Sequence, residues 1–449
     1  MKKMKFLLTV SIILVIFTLA ACSNGEEKEE KSADKEGSGE KTTLKVAALE
    51  SAYGTEMWEN VVKSYEEVNP DVEVDLQMEK NLEEVVRPNM QAGDYPDVLL
   101  LATNREEALT ETLIKEDGVE NITDVFDMQV PGEETKVNEK LLEGFTDTLA
   151  TNPYADGETY LAPMFYSPTG LFYNAGLFEE KGWEVPKTWD EMWELGDKAK
   201  EEGISLFTYP TSNYFDTLLG SMLYAAGGAD FYSSAMTYED GIWESEEATK
   251  ALETVEKLAD YVHPNTVANA NPNDFTKNQQ LVLDNKALFM PNGNWVVDEM
   301  KEAPRAENFA WGMTSIPAFE DDGDRYAFTF FEQIWIPKDA KNKDVAKDFI
   351  AYMYSDEAAD TFLEAGAVQP IEGITEQLDG QKQTFYSIYD EEGVLPAMGT
   401  FASTKPVPGA NMGDTLYGSI DSVISGDMTF KEWQEKIEEV SDKLRPALN

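Results

Sequence analysis

The sequence predicts an α/β protein with two lobes, and two observations support this. Roughly 400 residues follow residue 43, which is too long for one ordinary hydrophobic core. Within them, apolar residues alternate between strand and helix periodicities in the order strand, helix, strand, helix, strand. That order is typical of a parallel sheet covered by helices. Hydrophobic residues make up 42% of the chain and aromatic residues 11%, as in a well-packed globular protein.

The first block of elements begins with an apolar run at residues 44–49, which predicts a buried strand. Residues 54–68 follow with apolar positions on one helical face. Residues 72–78 alternate apolar and polar side chains, which favours a half-buried strand. After a further helical stretch, Asp97 leads into an apolar strand at 98–101.

A second block begins near Leu161. Thr188 and Glu191 form a capping box, which predicts the start of a helix that Gly203 closes. Thr429 and Glu432 form another capping box before the last helix. The other predicted strands are 171–173, 204–209, 287–290, 309–316 and 326–336, and the other predicted helices are 214–226 and 344–354.

The N-terminal residues indicate secretion. Three lysines within the first five residues precede an uncharged apolar run at 6–21, and this run is shorter than the roughly 20 residues that span a bilayer. We interpret residues 1–21 as a signal peptide. The run ends in Leu-Ala-Ala-Cys at 19–22, which resembles the bacterial lipobox and makes Cys22 the expected lipidated residue. A chance cysteine in an ordinary cleaved signal peptide is the alternative.

Residues 22–43 are expected to form a disordered acidic tether behind the lipidated Cys22, because positions 23–43 carry no bulky apolar side chain. Cys22 is the only cysteine in the chain, so an intramolecular disulfide is excluded. Stable membrane attachment through lipid requires two or more acyl chains. We therefore expect a protein that is anchored at the extracellular face of the membrane.

The charge balance limits the partners. There are 86 acidic against 36 basic residues, a formal net charge of −50. Nucleic acid is excluded as a natural partner because phosphate binding requires basic patches. The field also disfavours an anionic ligand. We interpret the acidity as an adaptation to salty or alkaline surroundings.

The sequence offers no motif for catalysis. His263 is the only histidine, so the paired-histidine zinc motifs are excluded, and neither a Walker phosphate loop nor a Gly-x-Ser-x-Gly elbow occurs. We expect no metal, no cofactor and no enzymatic activity. A secreted glycoside hydrolase remains open, because so many acidic residues could place a catalytic pair together by chance. A surface lipoprotein without a ligand is the third hypothesis.

Four stretches, taken together and in this order, carry a family resemblance: 91–98, 157–191, 287–295 and 334–349. The first reads Gln-Ala-Gly-Asp-Tyr-Pro-Asp-Val, and the third contains Pro-Asn-Gly-Asn-Trp at 291–295. They resemble the family-1 extracellular solute-binding proteins of ATP-binding-cassette (ABC) importers, the group that includes maltose-binding protein. Within that family the resemblance leans toward binders of N-acetylglucosamine or chito-oligosaccharides.

The resemblance implies a two-lobed, type II periplasmic-binding-protein-like fold with several hinge crossovers and the ligand between the lobes. Lobe one would comprise residues 44–163 plus 295–336, and lobe two residues 168–292 plus 339–449. The lobes would close over a sugar or oligosaccharide, and the protein would deliver it to a membrane permease. We expect a monomer.

A sugar presents flat C–H faces and a rim of hydroxyls, so its site needs aromatic faces and planar polar groups. Side chains that follow strands or lie at crossovers are the candidates. The predicted ligand-binding residues are Tyr53, Asn104, Arg105, Phe165, Tyr166, Asn213, Tyr214, Trp295, Phe331 and Glu332. Phe401 and Asn411 are further candidates, whereas Trp189, Trp193 and Trp433 are interpreted as core residues.

Each candidate also has a structural alternative. Asn104 would cap a helix, and Tyr53 would cap or pack. Trp295 would pack in the hinge rather than stack on a sugar. The bulky Phe331–Glu332 pair departs from the small residues that relatives carry there, so it would either fill part of the cleft or face the core.

Overall fold

The computed structural model describes residues 41–448, except residues 51, 52, 104, 106, 147, 155 and 403. The predicted signal peptide, Cys22, most of the predicted tether and Asn104 lie outside the described residues. Among the helices that are described, none combines the length and apolar character needed to cross a membrane.

Nine strands are described. They are β1 Thr42–Leu49, β2 Val72–Glu79, β3 Val98–Leu100, β4 Ala162–Asn174, β5 Ser205–Phe207, β6 Ala287–Gly293, β7 Trp311–Thr314, β8 Arg325–Trp335 and β9 Val394–Ala397. The sequence predicts the bounds of seven of them to within about three residues, β4 is much longer than predicted, and β9 is not predicted.

The strands form a mixed sheet in the order β2-β1-β3-β8-β4-β6-β5, with β7 paired to β4 and β9 paired to β8. β1 runs parallel to both β2 and β3, which confirms the parallel sheet predicted for the first block. β5 and β6 form a second parallel pair. The antiparallel strands β4 and β8 join these two parallel regions.

β4 and β8 each change partners along their length. Residues 162–168 of β4 pair with β8, and residues 169–174 then pair with β6 and β7. β8 pairs with β9 over residues 325–328 before it joins β4. The Thr169 hydroxyl donates to the Phe328 carbonyl oxygen at 2.8 Å, where the two exchanges meet. Two continuous strands therefore connect the halves of the sheet.

Sixteen α-helices cover the sheet within the described residues. They are α1 Glu56–Val68, α2 Leu82–Gln91, α3 Leu109–Lys115, α4 Ala175–Lys181, α5 Trp189–Glu201, α6 Phe215–Met236, α7 Glu246–Leu258, α8 Thr266–Asn269, α9 Phe275–Leu283, α10 Val296–Glu299, α11 Lys343–Tyr352, α12 Asp356–Glu364, α13 Gly380–Tyr386, α14 Met412–Leu416, α15 Ile420–Ile424 and α16 Phe430–Leu444. Both predicted capping boxes are present, at the starts of α5 and α16.

Two large hydrophobic cores lie at the two ends of the sheet. The first contains residues of β1, β3, α1, α11 and α12, and Trp58 is its largest fully buried side chain. The second contains residues of α5, α6, α7 and α16. Helices α11 and α12 thus pack on the first core, whereas the sequence analysis groups residues 339–449 with lobe two. The division of the chain into two lobes that move relative to each other stays a prediction.

Asp97, in the sequence stretch 91–98, has a structural role. Its carboxylate connects the first strands to the segment that follows β8 through hydrogen bonds. Its carboxylate is buried and accepts four N–H bonds, two on each oxygen. Oδ1 accepts from the backbones of Lys341 and Asn342 at 3.0 and 2.9 Å. Oδ2 accepts from the Lys45 backbone and the Asn342 side chain, both at 3.0 Å.

We expect Asp97→Asn to lower the free energy of unfolding by about 2–3 kcal/mol, the scale of lost hydrogen bonds to a charged group. In asparagine, an NH2 group replaces one of the two carboxylate oxygens. This donor would face two N–H groups that need an acceptor. Denaturant unfolding measures the loss. Asp94→Asn is the matched control, since the Asp94 carboxylate is exposed and accepts only from the Lys45 ammonium among the described residues. Equal losses in both variants would contradict this role of Asp97.

Candidate functional site

A cavity of about 1120 Å³ lies between the two cores. β8 contributes six consecutive residues to its wall, 328–333, and β4 contributes Phe165 and Ser167. Other wall residues come from the first core's side, such as Tyr53 and Thr103, and from the second core's side. The cavity therefore lies at the point where the two connecting strands change partners.

The first side of the cavity is built at the carboxyl ends of parallel strands. Tyr53 follows β1 and Thr103 follows β3, so the parallel pairing brings these two positions to the same edge. The Tyr53 ring meets Phe165 edge to face at a centroid distance of 5.5 Å. Phe165 is fixed in turn by Phe362 of α12 at 4.9 Å. The wall on this side is an aromatic surface held by the first core.

The second side is formed by α6 and by the chain after β9. Asp216 lies in the first turn of α6, and Tyr232 lies near its end. Phe401 stacks on Tyr238, with ring planes 10° apart, and Tyr417 lies beside it at 6.5 Å. Asp216 and Tyr232 are wall residues that the sequence analysis missed. The available signal for Asp216 was an acid in the first turn of a largely apolar helix.

Phe330 is the most exposed aromatic of the cavity wall. It is 43% exposed, one of two large hydrophobic side chains that are exposed in the described chain. Its ring lies 5.7 Å from Phe328 and 6.1 Å from Trp295. An apolar ring left open in a cavity is suited to cover the flat face of a ligand.

Two carboxyl groups of the wall are perturbed by their surroundings. Burial raises the pKa of Glu332 to about 7, and the positive charge of Arg105 offsets only part of this effect. Burial also raises the pKa of Asp216 to about 6, although backbone N–H groups stabilise its charged form. Within the described chain neither residue forms an ion pair. Both are therefore carboxyl groups with spare hydrogen-bonding capacity.

Four of the ten predicted residues line the cavity: Tyr53, Phe165, Phe331 and Glu332. Phe401, named as a further candidate, lines it too. Asn411 instead caps α14, where its side chain accepts from the Asp414 N–H at 3.1 Å. The ligand-binding role of each residue stays a prediction.

Trp295 and Tyr214 lie together beside the cavity wall. The Trp295 indole packs against Gly293, where a side chain would overlap the ring, and it contacts Phe330. Burial raises the pKa of Tyr214, while a hydrogen bond from the indole lowers it in part. Asn213 is exposed in the preceding turn. Trp295 thus packs against a wall residue, although it is not among the residues that line the cavity.

Arg105 and Tyr166 have partners elsewhere in the first half. Arg105 forms an ion pair with Glu83, a buried acid of α2. Burial raises the pKa of Glu83, but the hydrogen bond and positive charge of Arg105, together with a backbone hydrogen bond and the charge of Arg87, leave the net pKa lowered. Tyr166 is buried in the first core between Phe145 and Tyr386.

One group of acidic side chains has the spacing of a metal site among the described residues: Asp240, Glu438 and Asp442. Arg445 donates to all three, at 2.8, 3.3 and 2.8 Å respectively. Its guanidinium already supplies the positive charge that these carboxylates need. The group is therefore interpreted as an ion-pair network.

The fold of the chain is similar to the folds of solved binding proteins. The sugar-binding protein MalE of Xanthomonas citri superposes with a TM-score of 0.65, covering 90% of this chain and 98% of that one, at 19% identity. This similarity shows the two-lobed periplasmic-binding-protein fold, which confirms the predicted fold class.

Sequence comparison agrees over most of the chain. The diacetylchitobiose-binding protein NgcE of Streptomyces coelicolor is 26% identical, over 94% of this chain and 89% of that protein. The arabinooligosaccharide-binding protein of Bacillus subtilis is 23% identical, over 78% and 76% respectively. A family model described as bacterial extracellular solute-binding protein matches residues 60–373. The chain therefore belongs to the family of bacterial extracellular solute-binding proteins.

Proposed function

We propose that this protein captures a sugar or oligosaccharide in the cavity between its two cores and delivers it to an ABC importer. The observation that carries the proposal is the cavity wall itself: Phe330, Phe401 and Tyr53 present ring faces or edges, and carboxyl and hydroxyl groups lie among them. Such a wall fits a ligand with flat apolar faces and a rim of hydroxyls. The relatives, which are named for different saccharides, support the ligand class rather than one sugar.

Capture would involve closure of the two halves. Only β4 and β8 are long strands shared by both halves, so a change in their twist near Thr169 and Phe328 would swing one core toward the other. The volume of about 1120 Å³ exceeds the usual range for small-molecule pockets, as expected before closure.

A panel of mono- and oligosaccharides tested by thermal unfolding examines the proposal. A true ligand at 100 times its dissociation constant adds about 2.7 kcal/mol to the free energy of unfolding and raises the melting temperature. Calorimetry then shows saturable one-to-one binding, and chromatography shows the saccharide intact. Cleavage products would favour the glycoside hydrolase instead. No shift with any saccharide would favour a surface lipoprotein without a ligand.

We further propose that the protein acts as a monomer, held at the outer face of the cell membrane by lipid on Cys22. The Leu-Ala-Ala-Cys run at 19–22 supports this proposal. Mass spectrometry of the protein from membranes is expected to find diacylglycerol at Cys22, and Cys22→Ser is expected to release the protein into the medium. A membrane-bound Cys22→Ser protein would contradict the lipid anchor.

Trp295→Ala is expected to weaken saccharide binding by about 1–3 kcal/mol, the scale of a lost aromatic anchor. The reason is that the indole supports Phe330 and bonds to Tyr214. Calorimetry measures the affinity. Trp183→Ala, outside the cavity wall, is the control. Unchanged affinity together with lower stability would place Trp295 in hinge packing alone.

A further inference from the structure

Among the described residues, the cavity wall is rich in hydrogen-bond acceptors and poor in dedicated donors. Its acidic residues are Glu111, Asp117, Asp216 and Glu332, and its only basic residue among those described is Lys115. Lys115 and Asp117 are exposed, and Asp117 pairs with Lys338 at 2.5 Å. The described wall contains no arginine, histidine, asparagine or tryptophan.

The one planar amide among the described wall residues, that of Gln333, is already occupied. The Gln333 side chain donates to the Thr103 hydroxyl at 3.2 Å and to the Ala150 carbonyl oxygen at 3.4 Å. Its own oxygen accepts from the Thr103 backbone at 3.1 Å. The side-chain amide and guanidinium groups that would donate to a ligand carbonyl are thus absent or occupied in the described wall, whereas hydroxyls can donate or accept.

The surroundings of the two partly buried acids also point to a positively charged group. Asp216 lies near the phenol rings of Tyr214, Tyr232 and Tyr417, and no basic side chain contributes to its electrostatics. Glu332 lies near Tyr53, and the positive charge of Arg105 lowers its pKa in part. The Arg105 guanidinium itself forms an ion pair with Glu83. Carboxylates without an ion-pair partner among the described residues, combined with aromatic faces, form an environment that attracts an ammonium group.

We propose that the preferred ligand is an amino sugar whose nitrogen is protonated rather than acetylated, and that the carboxylates of Asp216 and Glu332 recognise it. This inference rests on the proposed function of the same cavity. The ammonium supplies a positive charge to two carboxylates that have no ion-pair partner among the described residues, and carboxylate oxygens are acceptors for its N–H groups. An acetamido group instead presents a carbonyl oxygen, which needs donors that this wall has few of.

The inference predicts a proton linkage. Both carboxyl groups bind protons in the empty cavity at mildly acidic pH, since their pKa values are raised to about 6 and about 7. A bound ammonium favours the ionised carboxylates and lowers these pKa values, so binding releases protons. Affinity for the amino sugar therefore rises as the pH increases through this range, as long as the amine of the sugar keeps its own proton.

Calorimetry at about pH 6.5, between those two values, tests the inference. The probes are the β-1,4-linked disaccharide of glucosamine, its N,N′-diacetylated form and cellobiose, each in two buffers of different ionisation enthalpy. We expect the free amine to bind at least about tenfold more tightly than the other two. Its binding enthalpy should depend on the buffer in the sense of proton release, and that of the two neutral disaccharides should not.

Two variants complete the test. Glu332→Gln and Asp216→Asn should each remove most of the preference for the free amine while binding of the diacetylated form changes by less than about threefold. Retained binding of that form also shows that the variants are folded. Glu180→Gln, the same change at an exposed position outside the wall, should leave the preference intact.

Three outcomes would overturn the inference. Binding of the diacetylated form or cellobiose as tightly as the free amine, without proton release, leaves the proposed function standing and removes the amino-sugar preference. A preference for the free amine that survives in both acid variants would contradict the assignment of Asp216 and Glu332 as the residues that recognise it. Binding of no saccharide of any kind overturns the proposed function, and the inference with it.

Discussion

Phe330→Ala and Phe401→Ala are each expected to weaken saccharide binding by about 1–3 kcal/mol, which is about 5- to 150-fold in the dissociation constant. Both rings line the cavity, one on the β8 crossing and one on the second side. Phe330 is already 43% exposed in the protein, so its removal leaves little void in a core. The loss should therefore appear in affinity, with a small change in stability.

The variant that combines Phe330→Ala with Phe401→Ala is expected to show the largest loss of binding. Because the two residues lie on different elements, their effects should be close to additive. Calorimetry with the saccharide that gives the largest thermal shift measures each variant. Phe319→Ala is the matched control, since Phe319 is a partly buried ring beside Lys250 and lies outside the cavity wall. A double variant that binds like the Phe319 variant would contradict the assignment of the cavity.

Trp433→Ala is expected to lower the free energy of unfolding by about 3–5 kcal/mol, the largest stability effect that we predict. The indole is fully buried between α16 and α14. Its N–H donates to the carbonyl oxygens of Thr415 and Leu416 at 3.2 and 3.1 Å, and both would lose this donor. The cavity left behind adds to the lost transfer free energy.

Denaturant unfolding followed by circular dichroism measures this loss. Lys431→Ala, an exposed position of the same helix, should change stability by less than about 0.5 kcal/mol. Because Thr415 and Leu416 precede Tyr417, a wall residue, the Trp433 variant should also lose some affinity for saccharide. A loss of less than 1 kcal/mol in stability would contradict the packing described for α16.

Much of the fold was predictable because its signals are local. The buried strand at 42–49, the capping boxes at Thr188 and Thr429, and the core positions of Trp189 and Trp433 are all set by neighbours within a few residues. Periodicity and capping describe such neighbours directly.

The long strand β4 was not predicted because it contains two prolines, which normally interrupt strands. Pro163 lies at an irregularity in the pairing with β8, and Pro168 lies where β4 leaves β8 for β6. At these two places the regular pairing is already interrupted, so the missing N–H of proline removes few strand-to-strand hydrogen bonds. Residues 163–168, which join the predicted lobe one to the predicted lobe two, are therefore part of a continuous strand.

The cavity wall was predictable mainly where its residues follow a strand or lie on the two crossing strands. Tyr53, after β1, is such a residue, and Phe165, Phe331 and Glu332 lie on the crossing strands themselves. Asp216, Tyr232 and Tyr417 come from helices and a loop that are brought to the wall by packing between distant segments. No local pattern distinguishes these residues from ordinary surface or core positions.

Small-angle X-ray scattering, with and without a saturating saccharide, tests the central claim most directly. The claim is that two halves, joined at β4 and β8, come together on the ligand in the cavity between them. We predict a smaller radius of gyration in the bound protein and a return to the original value when the saccharide is removed. A saccharide that binds in calorimetry but leaves the scattering profile unchanged would contradict the account.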